Sequence, residues 1–366
     1  MRDLQVRIRL RVPAQNAPSD LGRCCRSSFS IFGRQWCAVQ SLGCTAPVCF
    51  WADSKIEEGK VYPMKNICKL LCTLLALIML LTAAAFAETP TQDRAGNEIA
   101  IPAQINKVIS LAPATTQIIE SLGMMDKLIA VDTQTPLYVE GVSGLPQFDM
   151  MQPDIEQIAA LMPDVVFTSG MSYVEDNPFA VLPDMGICVI EIPSSSSIAA
   201  VKEDIVFTAA CLGAEAEGQA IADGMQARID EIAAIGATIE EKKSVLFEIA
   251  ALPYIYSFGS GTFLDEMITL LGAQNVLADQ YSWLSVNEED AVAANPDVIL
   301  TSVNYIEDSV GEIMSRPGWE AVTAVANGDV HYIDNGKSSL PNHHIVDALI
   351  EMAVAVYPEA YAAYAE

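Results

Sequence analysis

The sequence predicts an α/β protein of two similar lobes, each a mostly parallel sheet flanked by helices, with one long helix bridging them. Three observations lead there. Residues 154–169 read DIEQIAALMPDVVFTS, and residues 287–302 read NEEDAVAANPDVILTS. Aligned without gaps, seven of the sixteen positions agree: Glu156/Glu289, Ala160/Ala293, Pro163/Pro296, Asp164/Asp297, Val165/Val298, Thr168/Thr301 and Ser169/Ser302. Around both copies, apolar strand-like runs alternate with helical patterns, the mark of parallel sheets. Between the copies, residues 199–240 hold no proline and one extended helical pattern.

Each copy has the same local physics. A short helix carries a Glu near its start, where the helix dipole favours negative charge. Pro-Asp stops that helix, because the residue before proline is pushed out of the α region. The runs VVF and VIL suit strands covered on both faces. Thr-Ser then ends the strand and opens a loop.

In chain order, VISLA (108–112) is the first strand, and Pro113 opens a helix that Gly123 closes. LIAVD (128–132) is a second strand, the first copy of the repeat supplies a helix and a third strand, and CVIEI (188–192) is a fourth. Ile221, Met225, Ile229, Ile232 and Ile235 recur at three- and four-residue steps, predicting a helix from Glu215 to Glu240 that Gly218 and Gly224 weaken. The second lobe restarts with SVLFEIA (244–250). Thr262 and Asp265 then resemble a capping box, and Gly272 ends that helix. After the second copy come a helix near 308–315, the strand VHYID (330–334) and a closing helix from about Ile345 to Val356.

The front of the chain differs. Residues 1–63 hold five of the nine cysteines and nine of the twenty Lys and Arg, without periodicity. From Met64, Lys65 and Lys69 precede an apolar core at Leu70–Leu81, and Ala85-Phe86-Ala87 has the A-x-A form of a cleavage site. The expectation is a secretory signal peptide at 64–87, with cleavage after Ala87, export, and no lipid-anchor cysteine. Residues 1–63 then read as an upstream non-native translation or a disordered segment. The remaining chain divides into an N-terminal lobe at 88–198, an inter-lobe helical region at 199–240 and a C-terminal lobe at 241–366.

Residues 88–366 carry nine basic residues against forty-two acidic ones, a net charge of −33. That argues against nucleic acid and anionic membrane surfaces as partners. Cys188 lies in a strand-like run and Cys211 in a helix-like one, so buried free thiols are expected in preference to a disulfide. Enzyme motifs fail in turn. There is no phosphate-binding G-x-x-x-x-G-K-[ST], no G-x-G-x-x-G and no G-x-S-x-G elbow. The three histidines are His331 inside a strand and the neighbours His343 and His344, which alone lack the spacing of a zinc site.

What remains is a set of loops at the carboxyl ends of strands, where open α/β sheets bind ligands. From the first lobe these offer Thr115 and Thr116, Tyr138, Phe148 and Met151, then Met171 and Tyr173. The second lobe offers Tyr254 and Tyr256, Trp283, Tyr305 and His343. Rich in aromatics and Met and poor in cations, such a lining suits a bulky, flat or partly apolar ligand.

The segments VISLAPATTQIIESLGMMDKLIAVD, DIEQIAALMPDVVFTSG and RPGWEAVTAVANGDVHYID (316–334) resemble extracytoplasmic substrate-binding proteins of ABC importers. The group resembled binds ferric siderophores, haem and cobalamin, and the likeness covers nearly all of 104–357. It implies two lobes bridged by a rigid helix, a ligand cleft between them, small closure and no catalysis. It also implies that Glu156 and Glu289 dock onto arginines of the two permease subunits. Many members carry an arginine near the start of the last helix; here the stretch is Leu340-Pro-Asn-His-His-Ile345. With so few cations, a near-neutral chelate such as a ferric hydroxamate is expected, the ligand rather than the protein supplying iron or cobalt. His343 or His344 is then the side chain to approach the metal. Corrinoid or haem capture is the alternative within the family. A metallocofactor-handling enzyme on a similar scaffold is the competitor from another class.

Overall fold

A computed structural model describes residues 28–31, 34–37, 89–171 and 177–365. The signal-peptide expectation at 64–87 and the candidate Tyr173 fall outside those residues. Contacts divide the chain into two units, Met1–Ala85 and Phe86–Glu366. In the first, β1 (Ser28–Ile31) pairs antiparallel with β2 (Arg34–Cys37).

The second unit holds both lobes. Its N-terminal sheet is made of β3 (Val108–Ser110), β4 (Leu128–Asp132), β5 (Gln147–Phe148), β6 (Val165–Thr168) and β7 (Cys188–Glu191). The strand order is β5-β4-β3-β6-β7, and every pairing is parallel. The C-terminal sheet is made of β8 (Ser244–Glu248), β10 (Gln274–Asn275), β12 (Val298–Thr301) and β13 (Val330–Tyr332), ordered β10-β8-β12-β13 and again parallel. A separate antiparallel ribbon pairs β9 (Ile255–Phe258) with β11 (Trp283–Val286). The sequence reading placed Tyr256 and Trp283 in loops. They sit instead on this ribbon, whose apolar alternation is too short to stand out in the sequence.

The repeated segment does the same work in both lobes. Helix α2 (Ile155–Ala160) is capped by Asp154, which accepts from the Gln157 N–H at 3.0 Å. The helix spanning Glu288–Ala294 (α6) is capped by Asn287, which accepts from the Asp290 N–H at 2.8 Å. After each Pro, an aspartate reaches across to the lobe's first strand. Asp164 Oδ2 accepts from the N–H groups of Asn106 (2.7 Å) and Lys107 (2.9 Å). Asp297 Oδ2 accepts from the N–H and hydroxyl of Ser244 (2.8 and 2.7 Å). Strands β6 and β12 are buried at every residue, as their continuous apolar runs predict. One local expectation changes. Met162 and Asn295, the residues before the two prolines, leave the α region for left-handed values (φ 48° and 45°) instead of extended ones.

The lobes are joined by a pair of helices. Helix α3 (Ile198–Cys211) and α4 (Glu215–Gly236) are separated by a turn at Gly213, so the pattern over 199–240 is two helices and α4 stops four residues before Glu240. A Cβ at Gly218 would overlap Ala209 on α3, and one at Gly236 would overlap the Leu270 carbonyl that ends α5 (Phe263–Leu270). Gly218 and Gly236 therefore permit close docking of the helix at both ends, whereas a Cβ at Gly224 would meet open space. Met225, Ile229 and Ile232 of α4 share one core with Ile118 and Ile205 on one side and Phe263 and Leu349 on the other. Tyr361 is fully buried, its hydroxyl between the carbonyls of Ile232 (3.1 Å) and Leu271 (2.9 Å). Cys188 and Cys211 are buried free thiols, and burial pushes the Cys211 thiol up to about 12. Among the described residues, no helix is long and apolar enough to cross a membrane.

Met162 is exposed and holds a left-handed conformation that costs an L-residue about 1–2 kcal/mol, less for Asn. Met162→Asn, which copies the second lobe, is expected to stabilise the fold by about 1 kcal/mol in urea unfolding.

Candidate functional site

Both lobes reverse their strand order in the same way. In the first, β3 connects towards β4 and β6 towards β7; in the second, β8 leads towards β10 and β12 towards β13. The loops after β3, β6, β8 and β12 thus flank two reversal points, where α/β sheets open crevices. Helix α1 (Pro113–Ser121) leaves the first of these. Opposite it lie α9 (Asn335–Ser339) and the start of α10 (Ile345–Val356).

The lobes touch through polar pairs along this line. Asn342 Nδ2 donates to Gln117 Oε1 at 2.6 Å, with both residues buried, and Ser121 Oγ meets His343 Nε2 at 2.8 Å. Tyr138 donates to Asn335 Oδ1 at 3.2 Å. These partners stand about two hundred residues apart in sequence.

Among the described residues, a larger and a smaller cavity open between the lobes. The larger, about 600 Å³, has Gln117 and Tyr138 on one wall and Asn304, Tyr332, Asp334 and Asn335 on the other. Its size lies within the usual range for small-molecule sites. Lys337 is its one cation and is already paired with Glu351 at 2.5 Å. Burial, then the Asp334 charge, raises the Tyr138 phenol above its ordinary value, so the ring stays a neutral donor. The smaller cavity, about 150 Å³ and mainly apolar, lies at the β3/β6 reversal and includes Thr115, Ile118, Met171 and Leu340.

The structure therefore brings some candidates together and separates others. Tyr138 faces the larger cavity; Thr115 and Met171 face the smaller. Thr116 is fully buried and donates within its own lobe, to Ser110 Oγ (2.8 Å) and the Ala112 carbonyl (3.1 Å). Phe148 packs into the sheet core with Ile109 and Leu111. As core groups neither reaches a cavity, because both point back into their lobe. Met151 and Tyr254 are exposed. Tyr305 is exposed on its ring while its hydroxyl accepts from the Ala251 N–H at 2.9 Å. Tyr256 and Trp283 line neither cavity. Trp283 stands edge-on to Phe258 and Phe263, ring centroids 5.9 and 6.2 Å away.

His343 takes part in the lobe contact through its Nε2. Burial, then the neighbouring His344, lowers it from 6.5 to about 4, and its Nδ1 has no partner among the described residues. His344 Nδ1 lies 3.2 Å from Asp347, which also pairs with Arg228 at 2.8 Å. Those contacts, with that to His344 foremost, hold the Asp347 carboxyl down at about 2. No cluster of three or more metal-ligating side chains occurs among the described residues.

Sequence reasoning missed Gln117, Asn335, Asn342 and Glu248. The polar turn DNGK at 334–337 was a usable signal for the second. Glu248, at the end of β8, is fully buried in a two-pronged pair with Arg316 (2.7 Å twice). Arg316 also lies over Trp319 at 4.8 Å, and Trp319 Nε1 donates to Glu288 at 2.9 Å. The RPGW segment thus ties the β8/β12 reversal to the start of α6. Glu156 and Glu289 themselves occupy the second position of α2 and α6, and both are exposed.

A family model for periplasmic binding proteins matches residues 108–336. The ABC transporter substrate-binding lipoprotein YvrC of Bacillus subtilis is 29% identical over 273 residues, covering 74% of this chain and 85% of its own. Among solved structures, a possible iron-binding (periplasmic solute-binding) protein from Staphylococcus epidermidis is 25% identical with a TM-score of 0.62, over 69% of this chain and 99% of its own. The heme-binding protein RhuT of Roseiflexus shares the fold at 24% identity and a TM-score of 0.62, over 70% and 100% of the two chains. The Bacillus relative is a lipoprotein. That overturns the expectation of an unlipidated chain released by cleavage after Ala87. A charged start and an apolar core are common to both kinds of leader, so those features did not discriminate.

Two acid transitions should separate on thermal melting. The folded state keeps His343 neutral and the unfolded state protonates it near 6.5, so this part of stability is complete above about pH 6.5 and is lost as pH falls towards 4. His343→Gln is expected to remove it. The Asp347 part is present above about pH 3.8 and disappears only towards pH 2.

Proposed function

The chain belongs to the periplasmic binding protein family, and from that we propose that it captures a near-neutral metal chelate between its lobes and hands it to an ABC-transporter permease. Membership makes it a solute-binding protein and not an enzyme. The observation that carries the ligand assignment is the larger cavity, where phenols and amides from both lobes converge on a space that offers no uncommitted cation. A triply anionic chelate entering there would meet Asp334 and Glu120 with Lys337 already neutralised. A neutral ferric hydroxamate loses little on leaving water and finds donors and acceptors in Tyr138, Asn304 and Asn335. Met171 lines the smaller cavity, and Met151, Tyr254 and Tyr305 are exposed side chains that this reading assigns to cargo contact. Heme or a corrinoid is the alternative cargo, consistent with the heme-binding neighbour.

Delivery follows from the duplicated helix starts. Glu156 and Glu289 stand at equivalent positions on equivalent helices, so a permease with twofold symmetry meets the same charge twice. We assign the two glutamates to docking on its two subunits.

Calorimetric titration of the protein with a neutral ferric trihydroxamate, a triply anionic ferric tris-catecholate, heme and cobalamin tests the cargo. Tight saturable binding of the trihydroxamate is expected. Full affinity for the catecholate and none for neutral chelates would refute the assignment. Separately, Glu156→Arg combined with Glu289→Arg should abolish transport while changing chelate affinity less than twofold. Transport at the wild-type rate in that double variant removes the docking role.

A further inference from the structure

We propose that the smaller cavity is a ring-sized subsite, which takes one neutral aromatic ring of the cargo and orients it through the Thr115 hydroxyl. The inference rests on the chelate reading only in attributing the ring to the cargo. A cavity of about 150 Å³ matches the scale of apolar cavities that hold a benzene molecule, about 150 Å³ as well. Its walls suit that shape. Ile118 and Ile192 come from the first lobe and Leu340 from the second, while Met150 and Met171 add thioethers that adapt to aromatic edges and faces.

The polar feature is specific. Thr115 is 5% exposed, lines the cavity, and its hydroxyl makes no hydrogen bond among the described residues. Its neighbour Thr116, on the same helix turn, has two acceptors. That hydroxyl opens onto the cavity and is free to pair with a polar group of a ligand there. The one carboxylate in the wall, Asp204, is already held by Arg94 (2.5 Å) and by Ser195, so an ionised ring gains nothing there.

Nor is the space a by-product of the duplicated fold. At the matching reversal in the second lobe, Glu248 and Arg316 fill the end of β8 with a buried ion pair. Among the described residues, the first lobe leaves an apolar cavity at its reversal point where the second carries that ion pair.

The test uses phenol and toluene as probes, with the methionine methyl signals of the whole chain read by NMR. Phenol is expected to shift the Met150 and Met171 methyls saturably. Thr115→Val, which keeps the side-chain shape, should weaken phenol at least fivefold and leave toluene within twofold. Absence of a saturable shift in wild type, or equal phenol affinity in wild type and Thr115→Val, overturns the subsite. Phenol binding without any chelate binding would instead remove the cargo reading and leave the ring site standing. Chelate binding without a phenol response does the reverse.

Discussion

Everything about the cleft depends on how tightly α4 is docked. Gly218 lets its first turns lie against α3, and Gly236 lets its end reach the close of α5. Between those points Met225, Ile229 and Ile232 share a continuous core with both lobes. A packed core has a few discrete arrangements and does not deform smoothly. The lobes therefore cannot swing far apart without unpacking that core, and the crevice between them is largely preformed. Direct hydrogen bonds across the line, Asn342 to Gln117 above all, fix the register from the other side. Removing one partner of such a buried pair costs about 1–3 kcal/mol.

The duplication is physical as well as textual. In each lobe an Asp after Pro satisfies backbone donors at the entrance of the first strand, and the Thr at the strand's exit leads into a loop at the reversal. The two copies then diverge where function would ask them to. One reversal carries a buried Glu–Arg pair, and the other an apolar opening. Deleting Arg316 from such a buried pair costs about 3–5 kcal/mol, because the Glu248 charge is stranded, whereas Arg316 would keep Glu312.

Charge is distributed by the same logic. An acidic chain with nine cations beyond residue 87 spends several of them on structure. Arg316 is buried with Glu248, Arg94 holds Asp204, Arg228 holds Asp347, and Lys337 holds Glu351. Among the described residues, the larger cavity between the lobes is left without a lysine or arginine that is not already paired.

The sequence by itself determined the two-lobed parallel architecture, because strands covered on both faces must be continuous apolar runs and helix stops leave Pro and Gly behind. It also marked the paired glutamates, since their spacing from Pro-Asp is written twice. It could not tell that Thr116 and Phe148 turn into the core of their lobe while Thr115 turns towards a cavity. Residues one position apart on a helix differ only in the face they present, and only packing decides which face is the core. The contacts of Gln117 with Asn342 and of Ser121 with His343 join positions more than two hundred residues apart. Polar residues in loops carry no period, so nothing local announces such a pairing, and the tertiary structure alone brings the partners together.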